Sequence, residues 1–198
     1  MIHLPTLAQV CHKHNIPLLV DNAHGAYLKF TGQHPMDNGA DMCCDSAHKT
    51  LSCLTGAAYL HVSKKAINPY ESYAKKALSL FASTSPSYLI LQSLDAANIY
   101  LETYKKSLSA FVLKVDSLKN HLIELGYELY GDEAIKITLQ KKKYGYLGYD
   151  FAKILKEKGI VCEFCDPDFV VLMLTPEVDN LECILEIMKS IPKLLALD

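Results

Sequence analysis

Three clusters of polar side chains carry the residue types from which a catalytic site could be built. Asp21 and His24 follow the apolar run Leu18-Leu19-Val20, and Ser46, His48 and Lys49 follow Met42-Cys43-Cys44. The third cluster, Ser83-Thr84-Ser85-Pro86, precedes a long patterned segment. A lysine can form a Schiff base with an aldehyde cofactor when its amine is not locked as a surface ammonium. A carboxylate beside a pyridine nitrogen favours the protonated ring, and that ring draws electrons from a carbanion. Serine and threonine hydroxyls donate to a phosphate, and a histidine beside the lysine can share that phosphate or move a proton. By spacing alone, the same residues also fit ordinary polar strand ends.

The elements that would hold these clusters are short. Residues 6–14 read as a helix broken by Pro17, and 18–20, 42–44 and 57–62 read as three strands. Polar groups at the carboxyl ends of short apolar strands suggest an α/β sheet with its site along that edge. After Pro86, apolar residues from Leu94 to Leu125 recur every three or four positions until Gly126, predicting one long helix. The same repeat also fits an intermolecular coiled-coil seam. Strands at 136–140, 160–164 and 169–174 and helices at 148–158 and 181–191 predict a small α+β lobe. The run Lys141-Lys142-Lys143 reads as a solvated loop.

With 198 residues, half of them apolar and 21% charged, the chain has the makings of a packed globular protein. Its formal charge of −2 gives no nucleic-acid footprint, and no apolar run is long enough to cross a bilayer. Every one of the 20 basic residues is lysine, so no guanidinium clamp for a carboxylate comes from this chain. Seven cysteines cannot all pair within one chain, and buried thiols in a reducing, cytoplasmic setting are expected. The Cys162/Cys165 pair lies in an apolar run without a second pair to complete a zinc set. A zinc site drawing on His12, His14, His24 and His34 is disfavoured, because His12 and His14 lie two apart on a helix. No metal is expected.

Four ordered blocks carry a family resemblance. Pro17-Leu-Leu-Val-Asp21-Asn-Ala-His24-Gly25 resembles the aspartate strand of fold-type I pyridoxal-phosphate enzymes, and more closely that of the bacterial ornithine/lysine/arginine decarboxylases. Gly39 to Leu51, containing Ser46-Ala47-His48-Lys49, resembles that group's lysine motif. Ser83 to Asp95 resembles a third block, and Gly159 to Asp166 with Val170 to Pro176 resembles the C-terminal lobe. The resemblance implies pyridoxal 5'-phosphate held by Lys49, with Asp21 paired to the pyridinium nitrogen and Ala23 beneath the ring. It places Ser46 and His48 at or near the phosphate, and Thr84 and Ser85 at a phosphate, expected to be that of a partner subunit's site. His24 would border the substrate carboxylate, making Lys49, Asp21 and His24 the catalytic set.

The implied organisation is part of a cofactor-domain sheet over residues 1–85, a linking helix over 86–126 and a small α+β domain over 127–198. The implied reaction is decarboxylation of lysine, arginine or ornithine to a primary amine. Complete members of the group carry further cofactor-domain sequence before the aspartate strand. The chain is therefore expected to resemble the C-terminal half of such a protein. Weak or absent turnover alone is expected, with self-association or binding to an N-terminal partner chain. A noncatalytic interaction subunit and another fold-type I activity, such as transamination, are the alternative readings. Asn22 stands where the group commonly has an acidic residue, and Ala47 where it often has a hydroxyl.

Overall fold

The computed structural model describes residues 3–65, 70–177 and 180–197. Two compact units divide within the long helix, one formed by residues 2–106 and the other by 107–198.

The first unit begins with α1 (Leu4–Lys13), which has a proline in its first turn, where the missing N–H costs nothing. β1 (Leu19–Asp21) pairs in parallel with β2 (Met42–Asp45), which pairs antiparallel with β3 (Tyr59–Val62). The parallel pair brings the carboxyl ends of β1 and β2 to one edge, as the short apolar runs predict. Asp41, buried just before β2, ties α1 to this sheet. Its Oδ2 accepts from the Leu18 backbone N–H and from His12 Nε2, both at 2.8 Å. A short helix, α2 (Ala47–Thr50), leaves β2 after Ser46. A helix not expected from the sequence, α3 (Tyr70–Phe81), buries none of its residues.

The long helix is continuous, α4 (Tyr88–Glu124). Its predicted stripe is buried at Ala97 and Tyr104 in the first unit and at Leu108, Phe111, Val115, Leu118 and Leu122 in the second. Much of the 3-4 repeat is therefore covered within this chain rather than left as a free seam. Gly126, at φ +86°, supplies the left-handed residue that stops the helix.

The second unit is an antiparallel sheet in the order β4 (Glu128–Tyr130), β5 (Lys136–Gln140), β7 (Phe169–Met173), β6 (Phe164–Cys165). β5 and β7 alternate between buried and half-buried positions, and Ile137 opposes Leu172 while Leu139 opposes Val170. That period-2 face meets Phe151 and Leu155 of α5 (Gly148–Glu157) and Ile184 and Met188 of α6 (Leu181–Ser190) in one apolar core. The strand expected over 160–164 is shortened to β6, because only Phe164 and Cys165 find ladder partners on β7.

Two expectations are corrected here. Lys141 is not part of a solvated loop: it is fully buried, while Lys142 and Lys143 reach Asp168 and Glu128 at the surface. The rings of Tyr127 and Phe151 lie 4.0 and 3.6 Å from its Nζ, so the stem and the amine both sit in an aromatic cage. Nor are the cysteines generally buried. Cys43 is, but Cys44 and Cys183 are exposed and the others are half-buried. Strand alternation on β2 sends Cys43 inward and its neighbour Cys44 outward.

Candidate active site

The exits of β1 and β2 lie side by side. Val20 and Asp21 are in register with Cys43 and Cys44, the Asn22 N–H donates to the Cys44 carbonyl, and the Ser46 N–H donates to the Ala23 carbonyl. These bonds bring Asp21, Ala23, His24 and Ser46 to the start of α2, one turn from Lys49. Lys49 Nζ donates to His24 Nε2 at 2.9 Å, and both side chains are half-buried. An amine facing an imidazole nitrogen has a group within reach for the proton it must lose before it can attack a carbonyl.

Asp21 is exposed at the end of β1. Its Oδ1 accepts the Ala23 N–H at 3.1 Å and lies 3.9 Å from the exposed Cys44 Sγ. His48 Nδ1 sits 3.0 Å from the Ala57 carbonyl, which fixes that nitrogen as the donor and leaves Nε2 as the other polar atom of the ring. Thr84 and Ser85 lie elsewhere in the chain, on an exposed turn between α3 and α4 where the Ser85 N–H donates to Ser83 Oγ. The structure thus gathers Asp21, Ala23, His24, Ser46, His48 and Lys49 around adjoining strand exits. It places Thr84 and Ser85 on their own surface loop.

Beneath these residues lies a buried network that sequence reasoning missed. Asp45, 3% exposed, accepts from Asn22 Nδ2 at 2.6 Å on Oδ1, and from His34 Nε2 and His61 Nε2 at 2.9 Å each on Oδ2. Burial alone would raise this carboxyl, but hydrogen bonds from His34, His61 and Asn22 outweigh it and hold it well below the ordinary carboxylate range. The adjacent Cys43 thiol is pushed up to about 12, first by burial and then by the Asp45 charge. The available signal was a charged residue ending an apolar strand on its inward parity, two positions after Cys43.

A family model for the major domain of Orn/Lys/Arg decarboxylases matches residues 2–138. The chain belongs to this family. An arginine decarboxylase of Bacillus subtilis is 30% identical over 190 residues, 87% of this chain and 38% of that protein. Among solved structures, the constitutive lysine decarboxylase of E. coli superimposes with TM-score 0.74 at 17% identity, covering 94% of this chain and 34% of that one. A serine palmitoyltransferase of Sphingomonas wittichii gives TM-score 0.73 at 17% identity, covering 96% of this chain and 50% of that one. These likenesses show that the chain shares its fold with parts of both enzymes. The chain spans 34–41% of the length of the curated relatives it matches. Among the described residues, no helix is long and apolar enough to cross a membrane.

The decarboxylase-family residues suit the cofactor that the resemblance implies. Asp21 Oδ1 is turned to the strand-exit backbone, and the carboxylate stays exposed, as an acceptor for a pyridinium N–H must be. Lys49 is half-buried, and among the described residues its amine meets a histidine nitrogen at 2.9 Å.

Proposed function

We propose that this chain carries the lysine and aspartate of a pyridoxal-phosphate site for decarboxylating a basic amino acid, lysine, arginine or ornithine. The observation that carries the reading is the 2.9 Å contact between Lys49 and His24, set on the same sheet edge as the exposed carboxylate of Asp21. When bound, pyridoxal phosphate supplies an electron sink for the carbanion left by loss of carbon dioxide. The chain's own part is to bind, orient and move protons. Lys49 would hold the cofactor through its amine, with His24 Nε2, 2.9 Å away, as the nearest group to take up an amine proton. Asp21 accepts the ring N–H and keeps the ring cationic. Ala23 offers a small surface under the ring, the Ser46 hydroxyl offers a donor to the phosphate, and His48 stands beside it. Thr84 and Ser85 are assigned to a phosphate held by a partner subunit, and residues 1–85, 86–126 and 127–198 to cofactor domain, linking helix and small domain.

Water exclusion favours a partner. Asp21 is exposed, and Leu19, Val20, Cys44 and Leu60 around it line an open hollow of about 170 Å³. Leu19 and Leu60 are 57% and 40% exposed, apolar surface that a second chain would cover. A site open to water loses electrostatic strength, so turnover by this chain alone is weak, and a homo-oligomer or an N-terminal partner chain completes it. The odd cysteine count supports a reducing, cytoplasmic setting.

The experiment is a titration of the purified chain with pyridoxal phosphate, followed by borohydride reduction and peptide mapping, with Lys49→Ala in parallel. A reduced adduct at Lys49, absent from Lys49→Ala, is expected. Equal labelling of several surface lysines in both proteins would refute the site. Amine release from lysine, arginine and ornithine then identifies the substrate. Keto-acid formation instead would replace decarboxylation by transamination.

A further inference from the structure

We propose that His34, Cys43, Asp45 and His61 form a site for a divalent transition-metal ion of the zinc type, on the buried face of β2 and β3. The placement follows from strand geometry. Cys43 and Asp45 are two apart on β2 and share its inward face, and His61 stands directly opposite Cys43 in the antiparallel register. His34 enters from the start of the short helical turn Pro35–Asp37.

Three donors converge, and His61 joins them through the same carboxylate oxygen. The donor atoms of His34, Cys43 and Asp45, all three residues buried, lie within 4.8 Å of one another. His34 Nε2 is 2.9 Å from Asp45 Oδ2 and 3.9 Å from Cys43 Sγ, and His61 Nε2 reaches the same Oδ2 at 2.9 Å. Tetrahedral zinc, with bonds of about 2.0–2.3 Å, spaces its ligand atoms by about 3.3–3.7 Å. The separations from His34, 2.9 Å to Asp45 and 3.9 Å to Cys43, bracket that range, and side-chain adjustments would bring His61 in to close the shell.

The chemistry of the set matches the ion. Two imidazoles, a thiolate and a carboxylate are a zinc-type mixture, and the two anions balance a dication in a place where unbalanced charge is costly. A hydrogen-bond network by itself accounts for Asp45 and both histidines. Strand alternation turns Cys43 to the same side, where its sulfur, 3.9 Å from His34 Nε2, adds the soft donor that this network does not need. On binding, the thiol proton leaves to solvent, and the protons on His34 Nε2 and His61 Nε2 are each replaced by one on Nδ1. At His34 that costs the bond Nδ1 accepts from the Met36 N–H, which is already long at 3.3 Å. An adjoining cavity of about 260 Å³, lined in part by His34, Asp45, Tyr59 and His61, gives the ion a way in. The bound ion would pin the end of β2 just ahead of Ser46 and Lys49. The inference stands on these donors alone and is independent of the cofactor reading.

The test uses the full chain, freed of any histidine tag and of metal, titrated with Co²⁺. One equivalent should give the near-ultraviolet thiolate charge-transfer band and the intense visible bands of tetrahedral cobalt, and Zn²⁺ should abolish both. Cys43→Ser should lose the charge-transfer band, His61→Gln should bind at least about tenfold more weakly, and Cys53→Ser should match the wild type. His61 has a side chain 39% exposed, so its replacement spares the fold should Cys43→Ser not fold. A folded wild type without the bands would overturn the proposal. So would a charge-transfer band that persists in Cys43→Ser, or unchanged affinity in His61→Gln. Any of these would leave the cluster as a hydrogen-bond network.

Discussion

Replacing Lys141 by methionine should stabilise the second unit, and the size of the effect should depend on pH. Lys141 is fully buried, and among the described residues its Nζ meets no hydrogen-bond acceptor. Burial brings its pKa from the ordinary 10.5 down to about 6, with the nearby Cys162 acting weakly in the other direction. At about pH 7 the unfolded chain carries a charged lysine that the fold must neutralise, a cost of about 5 kcal/mol. The rings of Phe151 and Tyr127, 3.6 and 4.0 Å from Nζ, oppose this. Each stabilises a desolvated cation by up to about 2 kcal/mol. Burial therefore wins by a small margin, and Lys141→Met should gain about 1–3 kcal/mol at neutral pH.

The direction of the pH dependence follows from the lowered value. Between about 6 and 10.5 the unfolded state binds more protons than the folded one, so the wild type gains stability as pH rises. The gap to Lys141→Met should close by up to about 1.4 kcal/mol per pH unit in that window. Below about 6 the penalty is complete and the gap is flat. Urea unfolding followed by circular dichroism at several pH values measures this. A variant less stable than the wild type by the same amount at every pH would refute the reasoning. It would show that the rings hold Lys141 as a cation.

Asp45→Asn should cost about 3–5 kcal/mol in urea unfolding, because the buried His34 N–H and the half-buried His61 N–H then share a weaker acceptor. The deficit should be full at neutral pH and shrink as pH falls below 3.8, where the unfolded carboxyl of the wild type takes up its proton. A Cβ at Gly25 would collide with the Asn22 side chain, so Gly25→Ala should break the Asn22–Asp45 bond and lose about 2–3 kcal/mol. An unchanged midpoint would contradict that. Gly148→Ala would drive a Cβ into the backbone carbonyls of Asp166 and Phe169 at the start of α5. Despite the better helix propensity of alanine, it should destabilise by more than about 2 kcal/mol, read from thermal melts.

Periodicity made the elements legible wherever burial follows chain order. β5 runs over the residues whose alternation announced it, and α4 ends at the glycine its stripe pointed to. Local pattern failed where tertiary contacts decide. Nothing in Lys141-Lys142-Lys143 distinguishes the first lysine from its neighbours until Tyr127, Tyr144 and Phe151, spread over the second unit, close around it. β4 is three residues long and exists because β5 offers it a ladder. Of the site, Asp21, His24 and Lys49 were legible from residue type at strand exits. Asp45 was not, since its partners Asn22, His34 and His61 come from three separate segments.

The hidden network bears directly on the visible site. His24 reaches Lys49 only if the turn from Asp21 to Gly25 keeps its shape, and that turn has few anchors. Its backbone is held by the Asn22 N–H on the Cys44 carbonyl, the Ala23 N–H on Asp21 Oδ1, the Ser46 N–H on the Ala23 carbonyl and the Gly25 N–H on the Asn22 carbonyl. Its one buried side chain is Asn22, whose amide is fixed by Asp45. An acidic residue at position 22 would face the Asp45 carboxylate in a buried pocket, where two like charges cannot both be accommodated at neutral pH. Asn22 and Asp45 are therefore a matched pair: the amide supplies a donor that an acid would lack, and the carboxylate supplies an acceptor two histidines also need. Asn22→Asp should loosen the turn and lengthen the Lys49–His24 contact, whereas Asn22→Asp combined with Asp45→Asn should recover part of the loss. Recovery of cofactor trapping at Lys49 in the double variant, beyond the sum of the single effects, is the measurement that separates this coupling from two independent changes in stability.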